Sequence, residues 1–297
     1  MRSHWLLTLF TCILTACSPP VVAQPLLTAA LSSTAAPPAL VPPSQLAPAL
    51  TSPEAPRPGF TLESTAVPTL TSTPAPSLAP PLCSPLAGYT LAELPSIVSN
   101  PYHPPPLGSD DPHQGVDLAD RAPGSQVALS GMPIQAALAG RVAGVISDRF
   151  PYGNAVLLES PLTDLPPDWL VALALPTPLP QALTSPVLSC PAVTLPYTLT
   201  GQRSLYILYA HMKDPPVGQP GQSLACGEPL GVVGQSGNAL NPHLHFEVRL
   251  GPAGARFGSL AHYDNSATPE EMGLYCLWRV SGIFQLLDPM ALLALTP

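Results

Sequence analysis

Proline is spread so unevenly along this chain that it decides where a fold can form. Of the 44 prolines, 16 fall between residues 18 and 81, among many Ala, Ser and Thr, one glycine (Gly59) and three charged residues (Glu54, Arg57, Glu63). Each proline fixes φ and removes a backbone donor, so neither a helix nor a strand ladder survives that density. The stretch reads as a disordered, semi-rigid tether with polyproline II character, reaching on the order of 200 Å if fully extended. Folding is therefore expected only in residues 82–297.

Within that part, short runs bounded by Gly or Pro read as strands: 127–129, 134–137, 141–146, 154–159, 204–211, 229–233 and 243–250. Helical periodicity is weak, and only 289–295 reads as a helix. The expectation is an all-β, antiparallel sheet-based domain with an open groove. Two loop-rich stretches, 161–203 and 251–282, interrupt the pattern and read as surface insertions, leaving a core near 100–160 and 204–250.

Composition excludes one class of partner. With ten Lys plus Arg and a net charge of −8, the chain has no basic surface for nucleic acid. Arg2 followed by the apolar stretch 5–16 matches a secretory h-region, too short for a membrane-spanning helix. That stretch ends in Leu14-Thr15-Ala16-Cys17, which resembles a bacterial lipobox. The resemblance implies a signal peptide over 1–16 and a lipidated Cys17, hence a lipid-anchored linker over 17–81 at the extracytoplasmic face of a membrane. Acylation at more than one point would give stable anchoring. In that compartment Cys83, Cys190, Cys226 and Cys276 read as two disulfides, with three pairings open.

The chain has seven histidines, and four of them cluster with one aspartate in three short segments: HQGVD (113–117), LYAHM (208–212) and NPHLHFEVR (241–249). Alone, each histidine is more often structural than functional. Together, His113, Asp117, His211, His243 and His245 read as one metal site, because imidazole and carboxylate are natural zinc ligands. Residues two apart on a strand share a face, so His243 and His245 point together and Leu244 points into the core with Phe246 and Val248. By the same alternation Glu247 and Arg249 continue the histidine face and are expected along the groove wall. Pro112 and Gly115 argue against a helix over 113–117, so a turn leading into a short strand is expected there. His211 ends an apolar run and is expected at a strand end.

These segments resemble the M23 family of zinc metallopeptidases, the LytM or lysostaphin type. HQGVDLA resembles the family's H-x-G-[IV]-D-[IL]-A; YGNAVLLES, LYILYAHM and GEPLGVVGQSGNALNPHLHFEVR follow in the family's order, and LLDPMALL resembles its closing D-P segment. The resemblance implies that His113, Asp117 and His245 bind one Zn2+ per chain and that His211 and His243 are the catalytic histidines. It leaves open which histidine is the general base. It also implies hydrolysis of peptide bonds in peptidoglycan stem peptides or cross-bridges. Asn241 stands where glycine is usual before Pro-His, and the two insertions are longer than typical. The alternatives are a non-catalytic LytM-like regulator of cell-wall amidases and a peptidase acting on proteins. The absence of His-Glu-x-x-His argues against helix-based zinc peptidases.

Overall fold

The structure is a computed structural model that describes residues 82–119, 129–193 and 201–295. The 5–16 stretch, Cys17, the tether and most of the strand expected at 127–129 lie outside the described residues; Leu129 itself sits in a turn. The elements, in chain order, are β1 (Val98–Asn100), β2 (Val116–Leu118), β3 (Pro133–Gln135), β4 (Gly140–Arg149) and β5 (Gly153–Pro161). They continue with α1 (Pro167–Ala172), β6 (Arg203–Met212), β7 (Ser223–Leu224), β8 (Pro229–Val232), β9 (Leu244–Pro252), α2 (Pro269–Arg279), β10 (Gln285–Leu287) and α3 (Pro289–Leu293). Among the described residues no helix is long and apolar enough to cross a membrane.

All strand pairs are antiparallel, as expected. The main sheet runs β1-β2-β9-β6-β5-β4-β7, and β3 pairs with β8 in a second, small sheet. Strand β9 has β6 along one edge, paired from His245 to Pro252, and β2 and β10 end to end along the other. This arrangement places the short β2, with Asp117, directly against His245.

Side-chain alternation divides the core in two. Leu244, Phe246, Val248 and Leu250 of β9 join Leu205, Ile207 and Tyr209 of β6 and Val116 and Leu118 of β2 on one face. On the other face, Tyr206, Leu208 and Ala210 of β6 and Ala155 and Leu157 of β5 pack under Phe257, Leu274, Tyr275, Trp278 and Phe284. The central strands are thus buried on both sides, and the exposed cleft is confined to one end of the second face.

That second layer corrects the reading of 251–282 as a surface insertion without a helix. It contains α2, whose residues Gly273–Trp278 are all buried. The run Leu-Tyr-Cys-Leu-Trp is apolar on every side, so it carries no 3.6-residue period. The start signal was nevertheless written in the chain. Thr268 caps Glu271 N at 3.2 Å, Glu271 accepts from Thr268 N at 2.9 Å, and Pro269 occupies the first turn. Glu271 also pairs with Arg149 of β4 at 2.5 Å, fastening the outer end of α2 to the sheet. The stretch 161–203 is likewise only partly superficial, since Leu165, Trp169 and Leu173 enter the first core.

Two disulfides form among the described residues. Cys83 pairs with Cys226, fixing the start of the folded part beside the β7–β8 turn, and Cys190 pairs with Cys276 of α2. The second bridge therefore joins the two insertions to each other rather than to the sheet.

Candidate metal centre

Pairing in the sheet assembles the first three groups. Asp117 lies opposite His245 across β2 and β9. His113 comes from the turn before β2, as its Pro and Gly neighbours suggest. Asp117 Oδ1 stands 3.0 Å from His113 Nε2 and 2.9 Å from His245 Nδ1, and the two nitrogens are 3.1 Å apart. Donors about 2.0–2.1 Å from a tetrahedral zinc are themselves roughly 3.3 Å apart, so this triangle is close to one face of such a site.

Ring orientation strengthens the fit. His113 Nδ1 faces the carbonyl of Pro101 at 3.1 Å, which can only accept, so Nδ1 donates there and Nε2 is the nitrogen turned to Asp117. His245 Nε2 faces the Glu247 carboxylate at 3.3 Å, which turns Nδ1 toward Asp117. His113 Nε2, His245 Nδ1 and Asp117 Oδ1 therefore converge on one point, and a divalent cation held there would displace any proton shared among them. Asn100 of β1 donates to the other oxygen of Asp117 at 3.1 Å and turns Oδ1 inward. Burial alone would raise the Asp117 carboxyl, but its bonds to His113 and His245 hold it well below the usual range. Burial would lower His245, yet Asp117 and Glu247 push it up to about 9, and a cation bound to Nδ1 would take the place of the proton there.

His211 and His243 complete the floor. His243 Nε2 is 3.5 Å from Asp117 Oδ1, and the rings of His211 and His243 are 4.7 Å apart by centroid. Both donate Nδ1–H to a backbone carbonyl, His211 to Ser236 at 2.8 Å and His243 to Asn241 at 2.7 Å. Each keeps a bare Nε2. Asn241 serves through its carbonyl, so the departure from glycine there costs the site no donor or acceptor. Burial, reinforced by the charges of His245 and His243, pushes His211 down to about 3, and burial also lowers His243.

His211 reaches this face through a β-bulge. Met212 pairs with Asn154 and Tyr209 with Val156, so Ala210 and His211 together oppose the single residue Ala155. His211 has φ 62°, the left-handed region that is uncommon for a residue with a side chain. Strict alternation from Tyr209 would send His211 into the first core. The bulge turns it to the side of Ala210 and His245.

Glu247 and Arg249 lie on the expected face but not on a groove wall. They are 0% and 2% exposed, because the 251–284 layer covers them. Arg249 Nε donates to Glu247 Oε1 at 2.5 Å, and its Nη atoms bond the Phe284 carbonyl and Gln114 Oε1. Arg279, from the end of α2, stands 3.5 Å from Glu247 Oε2, donates to Tyr152 Oη at 3.3 Å and donates to the Asp110 carbonyl at 2.6 Å. Burial would raise Glu247, but Arg249 first and then His245 and Arg279 hold it well below the ordinary range. Asn100, Tyr152, Gln114 and Arg279 were not singled out from sequence. Nothing local marks them, since three-dimensional packing alone brings them to the histidines.

The five residues face a cavity of about 460 Å³ that is also lined by Ser99, Asn100, Pro151, Tyr152, Asn238, Leu240, Asn241 and Arg279. Leu240, 95% exposed, forms an apolar rim.

Residues 198–256 match the model of peptidase family M23. The M23 match spans β6 to β9 and includes His211, His243 and His245, while His113 and Asp117 lie before it and reach it through β2. No curated protein matches the chain. Among solved structures, the chain is similar to the catalytic domain of the prophage-encoded M23 protein EnpA from Enterococcus faecalis, at 21% identity over 55% of this chain and 87% of that one, with TM-score 0.31. It is similar to the catalytic domain of the antimicrobial peptidase lysostaphin from Staphylococcus simulans, at 17% identity over 69% and 98%, with TM-score 0.34. A zinc containing peptidase from Vibrio cholerae gives 19% identity over 51% of this chain and 32% of that one, with TM-score 0.27.

Proposed function

We propose that this chain is a zinc-dependent endopeptidase that hydrolyses peptide bonds in peptidoglycan stem peptides or cross-bridges. The observation that carries the reading is the convergence of His113 Nε2, Asp117 Oδ1 and His245 Nδ1, 2.9–3.1 Å apart, on the floor of a cleft beside two further imidazoles with bare Nε2 atoms. Those three atoms would hold the zinc. When bound, zinc would act as a Lewis acid toward the peptide carbonyl and make water acidic enough to react near neutral pH.

The chain's own residues supply the rest. His211 and His243, neutral and with Nε2 bare, take up the proton released from water and return one to the leaving amine nitrogen. Their Nδ1–H bonds to fixed carbonyls lock both rings, so this exchange needs no side-chain search. Asn100 keeps Asp117 turned inward. Asn238 and Asn241 offer amides to a peptide backbone, and Leu240 offers it an apolar rim.

Full-length protein should contain about one zinc and release new amino termini from purified cell walls, and a chelator should abolish the release. Mass spectrometry of the muropeptides identifies the bond cut. Zinc-loaded protein that releases nothing from any wall type, yet cleaves glycine-rich peptides, moves the substrate from wall to protein. Folded protein without zinc supports instead a non-catalytic wall regulator.

The export reading rests on Arg2, the 5–16 stretch and Cys17 alone. We propose a lipid-anchored protein at the outer face of a bacterial membrane, reaching the wall on its proline-rich tether. Wild type should enter the detergent phase on partition and Cys17→Ala should not; equal partition removes the anchor.

A further inference from the structure

Helix α2 lies outside the residues that match M23, yet it ends against the metal centre. Arg279 closes its last turn, and from there a continuous path of polar contacts runs to the donor triangle. Arg279 Nη1 stands 3.5 Å from Glu247 Oε2. The same carboxylate oxygen is 3.3 Å from His245 Nε2, and His245 Nδ1 is 2.9 Å from Asp117 Oδ1. Tyr152 Oη, 3.3 Å from both Arg279 Nη1 and Glu247 Oε2, braces the junction. Arg279 also holds the His113 side, through its 2.6 Å bond to the carbonyl of Asp110, three residues before His113. Tyr275, one turn earlier on α2, bonds the Asp110 carboxylate at 3.0 Å.

We propose that Arg279 is a positioning residue for the metal site: α2, clamped by Cys190–Cys276, uses it to orient both imidazole ligands. The inference rests on the zinc reading above. Its physical basis is that the tautomer and ring angle of a ligating histidine are set by whatever its other nitrogen touches, and here that partner is Glu247. Glu247 is fully buried, so its protein partners rather than bulk solvent set its orientation. Arg249 fixes one of its oxygens at 2.5 Å. The oxygen that faces His245 is fixed by Arg279 and Tyr152. Without the guanidinium, Glu247 is free to rotate about its Arg249 contact and the Asp110–His113 loop loses an anchor. Both effects fall on metal ligands, one on each side of Asp117.

The test is zinc affinity of the full chain by chelator competition, together with the visible spectrum of the cobalt-substituted protein, which reports ligand geometry directly. Arg279→Met removes the guanidinium, whose Cζ lies 5.9 Å from the Tyr152 ring and 5.8 Å from the Tyr275 ring, and leaves an unbranched apolar side chain in its place. It should weaken zinc binding about 10–100-fold and alter the cobalt spectrum. Arg279→Lys should recover part of that loss. Arg149→Ala is the control, because it cuts the Arg149–Glu271 pair at the far end of the same helix without touching Glu247. It should lower Tm and leave zinc affinity and spectrum unchanged. If Arg279→Met folds and binds zinc as wild type does, the proposal fails. If Arg149→Ala weakens zinc as much as Arg279→Met, the effect is general loosening of α2 and the proposal fails again. Should Arg279→Met not fold, Arg279→Lys decides: an unchanged cobalt spectrum and affinity refute the role, and a shifted spectrum at retained folding supports it. Wild type that binds no zinc would instead sink the metal reading itself, a separate outcome.

Discussion

Gly115 sits between His113 and Asp117 and lies flat against His245, the third member of the donor triangle, so the smallest possible side chain there should damage the proposed metal site. A Cβ built on it would stand 2.7 Å from His245 Cε1, 2.8 Å from His245 Nε2 and 2.8 Å from the carbonyl oxygen of Phe246. Ordinary contact begins near 3.4 Å, so the ring would have to retreat by about 0.6–0.7 Å. The Phe246 carbonyl has little freedom to help, because β9 is laddered on both edges by β2 and β6. The imidazole must therefore move, and with it Nδ1 against Asp117 at 2.9 Å and Nε2 against Glu247 at 3.3 Å. Overpacking of this kind costs about 1–3 kcal/mol. Disturbing the contacts that aim a ligand typically weakens metal binding about 10–100-fold. Gly115→Ala should show both, the first by urea unfolding in chelator and the second by zinc competition. Gly258→Ala is the matched control: its Cβ would meet only Leu274 Cδ1 at 3.6 Å, and the change should stay within about 0.5 kcal/mol. Wild-type zinc affinity in a stable Gly115→Ala would mean that the ring has room to give, and the close packing argued here would be wrong.

Other perturbations separate the roles. Asp117→Ala and His245→Ala should lose zinc, whereas His211→Ala should keep it and lose turnover by about 10²–10⁴-fold, read from metal content and muropeptide release; zinc loss in His211→Ala would overturn the division of roles. The bridges Cys83–Cys226 and Cys190–Cys276 close segments of 143 and 86 residues, for which chain entropy gives about 5 and about 4.6 kcal/mol. The two loops share only 190–226, so each bridge closes nearly its full loop whether or not the other is present, and the losses on Cys→Ser substitution should come close to adding in guanidinium unfolding. The Arg149 bond, outweighing burial, pulls the Glu271 carboxyl down from an ordinary 4.5 to about 2. A depressed folded-state value means stabilisation that is full above about pH 4.5 and lost as pH falls towards 2. The stability gap between wild type and Arg149→Ala should therefore close across that window, and a gap independent of pH would exclude an ionic contribution.

Legibility in the sequence followed the range of the interactions. Strand alternation was readable where each face meets a uniform environment, as along 244–250, whose even-numbered residues all enter one core. The donor triangle was readable because its members sit in tight local contexts, with Gly115 and the His-x-His spacing setting their directions. What escaped was the layer built from 251–284. Its proline and glycine content reads as loop, its helix is apolar all round, and its value to the site lies in Arg279, whose partners are 32 to 169 residues away. The same reasoning placed Glu247 and Arg249 correctly by parity and wrongly by exposure, because parity says which side a residue takes and nothing about what lies on top of it.

His211 shows the deeper limit. Counting by twos from Tyr209, which is in the first core, assigns His211 to that core, where an unpartnered imidazole would be costly. The chain resolves this by inserting one residue opposite Ala155 and holding His211 at φ 62°. A left-handed conformation costs about 1–2 kcal/mol for a residue with a Cβ, so the surroundings must over-determine it. They do: the backbone N–H donates to the Tyr152 carbonyl at 3.1 Å, its carbonyl accepts from Gly234 at 3.0 Å, and the ring donates to Ser236 at 2.8 Å. Glycine at this position would relieve the strain and remove the imidazole. The strain is therefore a direct signature that the ring, and not the backbone, is what the position serves. His211→Gly should accordingly be at least as well folded as His211→Ala by urea unfolding while equally inactive; a His211→Gly less stable than His211→Ala would show that the bulge is not strained and that the histidine is there for packing.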